Sequence, residues 1–138
     1  MPSEWMRAAA LTLWALVLAP VASAYSPQVN YQLQCMGCHR GDGSGESGRV
    51  PNVRTTLVPF SALAAGRDFV LRVPGVAQAK LSDAELAALL NWMAEKLSDV
   101  PMTADFVLYT AAEVAAVRQQ PMASVQTRRA ALVAQISH

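Results

Sequence analysis

Cys35-Met36-Gly37-Cys38-His39 places two thiols three positions apart and an imidazole directly after the second. This is the attachment signature of c-type haem. Each sulfur can add to one of the two vinyl groups on the same porphyrin edge, and the tether then brings His39 under the iron with Nε2 as proximal ligand. The motif predicts one covalently attached haem c, with Cys35, Cys38 and His39 as the cofactor-binding residues and His39 as the metal ligand.

Other chemistries of the same residues fit less well. A closed structural zinc site needs four Cys or His ligands, and beyond this motif the chain offers only His138 at its C-terminus. A redox-active CxxC belongs after a strand among βαβ units, whereas the surroundings here read as helix and loop. A plain disulfide would leave the adjoining histidine without a role.

The compartment is read from residues 1–24: Arg7 in a polar start, an apolar run from Ala8 to Ala19, Pro20, then Ala22-Ser23-Ala24. This pattern predicts a secretory signal peptide cleaved before Tyr25. The run falls short of the roughly 20 residues of a membrane-crossing helix, so no membrane span is expected in the mature chain. Thioether attachment of haem outside the bacterial cytoplasm agrees with this, and the expected address is the periplasm.

Glu4 and Arg7 cancel, so residues 25–138 keep the net charge of +1 of the whole sequence. A dedicated nucleic-acid or anionic-membrane partner would call for a basic surplus or stripe, so neither is expected. One small domain has a modest core of its own, and haem would add apolar surface to it.

Residues 41–48 are too rich in glycine for a regular element and read as a loop. Gly43 to Gly48 spell G-x-G-x-x-G, but without the strand, helix and βαβ setting that a dinucleotide fingerprint requires. The loop continues through Val50-Pro51-Asn52-Val53. Residues 60–71 then read as a helix, and Val73-Pro74-Gly75 as a turn, since a residue before proline avoids the α region. Ser82 and Glu85 form a capping box flanked by the staple pair Leu81 and Leu86, predicting a helix over 83–97. Leu86, Leu89, Leu90, Met93 and Leu97 make its apolar stripe, expected to pack against the haem helix. Thr110 and Glu113, with Tyr109 and Val114, predict a second capped helix to about residue 119, and residues 124–136 a last amphipathic one. No run reads as a strand, and the predicted fold class is all-α.

In their order along the chain, Tyr31, the CxxCH motif, the Gly-x-Gly loop, Pro51-Asn52, and a helix opening at Leu81-Ser82-Asp83 with Trp92 resemble the class I c-type cytochromes over residues 28–98. The resemblance implies a cytochrome c-like helical domain around one covalent haem, with Tyr31 and Trp92 meeting where the first and last helices of the family core cross. It divides the chain into a signal peptide at 1–24, a cytochrome c domain at 25–103 and a helical extension at 104–138 packed on it.

The sequence departs from the family at the sixth iron ligand. Where the family presents a methionine followed by proline, this chain has Val73-Pro74. Met102 and Met93 remain as candidates, Met122 and His138 as remoter ones, alongside an open position. Arg72 reads as a solvated loop arginine, with approach to a haem propionate as the alternative.

The resemblance implies a non-enzymatic, single-haem periplasmic electron carrier working with redox partner proteins, a periplasmic quinoprotein dehydrogenase among them. Apart from His39 and His138 the mature chain has no histidine to act as acid or base, which argues against catalysis. The rival readings are a five-coordinate haem protein binding a small gaseous ligand, and an accessory subunit of a dehydrogenase complex.

Overall fold

The computed structural model describes residues 24–120 and 122–137. The expected signal peptide, save Ala24, lies outside the described residues, as does His138. The described chain is helical: α1 (Pro27–Gln34), α2 (Val53–Ser61), α3 (Ala64–Arg72), α4 (Pro74–Ala77), α5 (Asp83–Lys96), α6 (Ala111–Val117) and α7 (Val125–Ile136). The only strand-like pairing among the described residues is an isolated bridge between Glu46 and Val50.

Helix starts follow local chemistry. In α1, Ser26 caps and Pro27 occupies the first turn, where its missing N–H costs nothing. In α5, both halves of the box form: Ser82 Oγ accepts from the Glu85 N–H at 3.3 Å, and the Glu85 carboxylate accepts from the Ser82 N–H at 2.9 Å. Asn52 was expected in a loop, but its side chain accepts from the Arg54 N–H at 3.0 Å and opens α2.

Three other expectations need correction. Residues 60–71 are not one helix but the end of α2 and the whole of α3, separated by an extended Leu63. The reason is tertiary: α3 folds back so closely that a Cβ on Gly66 would stand 2.1 Å from the Phe60 carbonyl oxygen. Phe60 and Phe69 then meet edge to face at 5.8 Å. Pro74 opens the short helix α4, with extended Val73 as its cap, so Val73-Pro74-Gly75 is not a free turn. At α6 only half of the box forms: Thr110 Oγ1 accepts from the Glu113 N–H, but the Glu113 carboxylate is taken by Arg67.

Helix α5 is the centre of the molecule, with α1, α2 and α6 packed on it. Tyr31 of α1 and Trp92 of α5 lie 5.7 Å apart, ring to ring, as the family resemblance implied. The segment 104–137 is bound to the rest on two sides. Helix α6 packs on α5 and α3, and α7 on α2 and α3. Arg67 stands 4.1 Å from the Tyr109 ring centre and bonds both oxygens of Glu113. Arg118 donates to the carbonyls of Ala77, Ala79 and Leu81 and to Asp83. Arg72 is not a solvated loop residue: it ends α3, pairs with Asp68 and donates to the Gln120 carbonyl.

Candidate cofactor cavity

The cysteine motif winds off the end of α1. Cys35 caps the helix, and both the Cys38 and His39 N–H groups donate to its carbonyl, at 3.1 and 2.9 Å. This turn brings Cys35, Cys38 and His39 to the wall of one cavity of about 350 Å³. The segment after it is tied down by Tyr31, whose hydroxyl donates to the Arg40 carbonyl at 2.6 Å.

The glycine loop then returns the chain over the motif. Gly43 is buried with φ +85°, a conformation that disfavours side chains, and a Cβ on Gly45 would lie 2.0 Å from the Val50 carbonyl oxygen. Gly43 is therefore required by its backbone conformation and Gly45 by close backbone approach, and Pro51 reaches the cavity wall beside His39. The G-x-G-x-x-G spelling serves this return; it opens no helix after a strand.

The opposite walls are apolar. Leu86, Leu89, Leu90 and Met93 of α5 line the cavity, with Phe60 of α2 and Phe69 of α3. The α5 stripe, expected against the haem helix, thus faces the cavity, while Trp92 meets α1. Val73 and Met93 line the cavity; Met102 and Met122 do not line it and pack elsewhere against the core. Among the methionines, then, the structure brings Met93 to the motif and leaves Met102 and Met122 apart from it.

The environment sets the chemistry of the motif. Burial pushes the Cys35 thiol up to about 11, keeping it protonated at neutral pH. Burial also lowers the His39 pKa, opposed by the Pro51 carbonyl, so the ring is held neutral with a lone pair to offer. His39 Nδ1 is buried without a formed hydrogen bond. An apolar cavity holding two thiols and a neutral imidazole fits a large flat apolar group bound through sulfur and a metal. No group of three or more His, Cys, Asp or Glu side chains among the described residues is arranged to hold a metal ion, as a closed zinc site would need.

Among the wall residues the sequence did not point to, two come from the last helix. Val125 and Arg129, one turn apart on α7, both line this cavity. Their i, i+4 spacing puts them on one helix face, but nothing local shows what that face covers.

The chain thus has an all-α, cytochrome c-like fold with CxxCH at an apolar cavity, and comparison with known proteins agrees. The chain is 28% identical over 129 residues to a cytochrome c-552 of Thermus thermophilus, covering 80% of this chain and 87% of that protein. It is 29% identical over 111 residues to a second Thermus thermophilus cytochrome c-552, covering 67% of this chain and 85% of the relative. These similarities support a c-type cytochrome. No protein-family model and no solved structure matches the chain. No helix among the described residues is long and apolar enough to cross a membrane.

Proposed function

We propose that the chain is a periplasmic, single-haem class I c-type cytochrome that carries electrons and transforms no substrate. Its partners are redox proteins, a periplasmic quinoprotein dehydrogenase among them. In this reading residues 1–24 are the cleaved signal peptide, 25–103 the cytochrome domain and 104–138 its packed extension. The observation that carries the proposal is the convergence of Cys35, Cys38 and His39 on one apolar cavity.

Cys35 and Cys38 would hold the group through thioethers, and His39 would supply a nitrogen to its metal. The haem supplies one-electron exchange between ferric and ferrous iron. The protein's part is to position and insulate. The turn after α1 fixes His39, the leucines of α5 exclude water, and the low polarity of the walls favours the less charged ferrous state. Mass spectrometry of the denatured mature chain, made in cells able to attach haem, tests the proposal. The expected mass is that of residues 25–138 plus one haem; the bare polypeptide mass would overturn it.

A second reading, a five-coordinate haem that binds a small gaseous ligand, is favoured by one specific observation. Val73, where the family presents its methionine, lines the cavity, whereas Met102 does not. An aliphatic side chain cannot ligate iron.

A further inference from the structure

Arg129 is a cation placed against the cavity with no ion-pair partner among the described residues. It projects from α7 one turn after Val125, and both side chains belong to the cavity wall. Its Nε is buried and has no hydrogen-bond partner among the described residues. Neighbouring arginines are treated differently: Arg128 pairs with Asp68, Arg72 with the same carboxylate, and Arg118 with Asp83 and three carbonyls. On its other side Arg129 borders a second cavity, of about 620 Å³, walled by the glycine loop and Pro51-Asn52. Among the described residues no Asp or Glu lines either cavity, and Arg49, also a cation, is the other Arg or Lys there.

Holding the Nε–H of a half-buried guanidinium out of water without an acceptor is unfavourable unless an anion arrives to meet it. Because the described residues supply none at this place, the anion is assigned to the ligand. The group proposed for this cavity carries two carboxylates, and a planar guanidinium matches a carboxylate in a fork of parallel hydrogen bonds.

We propose that Arg129 is the charge partner of a haem propionate, so that the C-terminal helix α7 completes the cofactor site and sets its potential. The inference rests on the proposed haem function. It makes the extension a working part of the site, with Val125 closing the apolar wall and Arg129 answering the acid end. A fixed cation at the propionate offsets a negative charge that would otherwise favour ferric iron, and so holds the potential up.

The test compares the full-length wild type with Arg129→Met, which keeps the stem without the charge, and Arg129→Lys, which keeps a charge without the fork. Each is matured in cells with a haem-attachment system. Attached haem is measured first, then the midpoint potential and the propionate bending band in resonance Raman spectra. In Arg129→Met the ferric to ferrous ratio at a fixed applied potential is expected to rise about tenfold, about 59 mV for one electron. The Raman band should move, and Arg129→Lys should shift the potential by less. Haem-loaded Arg129→Met with wild-type potential and Raman band overturns the inference and leaves the haem function standing. Equal potential shifts in both variants with an unmoved band also overturn it, assigning Arg129 to packing. A wild type without attached haem overturns both. If Arg129→Met does not mature, a Raman band in Arg129→Lys displaced from the wild type supports the inference, and an undisplaced one overturns it.

Discussion

The side-chain amide of Asn91 brackets the backbone of Tyr109, accepting from its N–H at 2.8 Å and donating to its carbonyl at 3.0 Å. Asn91 thus uses both ends of its amide as a strand partner would, and the chain leading into α6 is fastened to α5. The Tyr109 ring is buried between Arg67 and the core, and its hydroxyl lies 2.7 Å from that of Ser61. Ser61 already donates to the Leu57 carbonyl, so Tyr109 is the donor of that pair.

Asn91→Ala should therefore leave a donor and an acceptor of the Tyr109 backbone without partners. The expected loss is about 2 kcal/mol of unfolding free energy. Denaturant titration of the wild type and variant measures it, and a difference within error would show that water replaces the amide at no cost.

Arg118 joins α6 to the segment just before α5, where its side chain is only 9% exposed and meets three carbonyls and the Asp83 carboxylate. Arg118→Met keeps most of the stem and removes every donor. A loss of about 3 kcal/mol is expected, because these bonds are charge-assisted and the carbonyls stay behind. The same titration reads it, with protection of the 77–83 amides from hydrogen exchange falling in parallel.

Ser82→Ala removes the side-chain acceptor that starts α5 and should cost about 1 kcal/mol. Since α5 carries four cavity leucine and methionine side chains, the melting temperature should drop in apoprotein and holoprotein alike. An unchanged melting temperature would show that the first turn of α5 is held by its packing alone.

The start of α5 and the cysteine motif were legible because their information is local. A box of Ser82 and Glu85 needs four residues, and CxxCH five. What could not be read depends on how the chain folds back on itself, over spans longer than a helical turn. The α2–α3 break has neither glycine nor proline at Ala62-Leu63; it follows from the approach of Gly66 to Phe60. Glu113 had the right spacing for its own capping box, but Arg67, 46 residues earlier, takes its carboxylate. Asn91 and Arg118 looked like ordinary polar positions, since their partners are backbone groups, which carry no residue signature. Arg129 was hidden similarly: its neighbours in sequence say nothing about which wall it joins.

Acid should loosen the molecule. Hydrogen bonds from Ser44 hold the Asp42 carboxyl below its usual value, those from Arg54 do so for Asp99, and those from Ser82 for Glu85. A carboxyl whose folded pKa is depressed adds stability that is complete above the unfolded range, about 4 to 4.5, and is lost as pH falls through the folded value. Because His39 is buried neutral, the melting temperature should begin to decline as pH falls below the free imidazole value, about 6.5, and the carboxylates should steepen the fall below about pH 4. Because these carboxylates face water, added salt should shrink the effect. A melting temperature constant down to about pH 3 would contradict the argument.

The sixth iron position gives the sharpest contrast between the two haem readings. Val73 lines the cavity and brings no donor atom, Met93 lines it from within the apolar stripe of α5, and Met102 packs away from it. A thioether set in a helical stripe is held by its packing, so the site is expected to lack methionine ligation. Carbon monoxide should then bind the ferrous wild type fast, with Met93→Ala and Met102→Ala leaving the rate nearly unchanged. Val73→Met should slow binding and raise the potential, because methionine opposite histidine favours ferrous iron. Stopped-flow mixing with the reduced proteins measures all four rates. Slow binding in the wild type that becomes fast only in Met93→Ala would make Met93 the ligand and overturn the expectation of an open sixth position. Slow binding released only in Met102→Ala would mean that the segment after α5 moves to the iron when haem is bound, against the packing seen here.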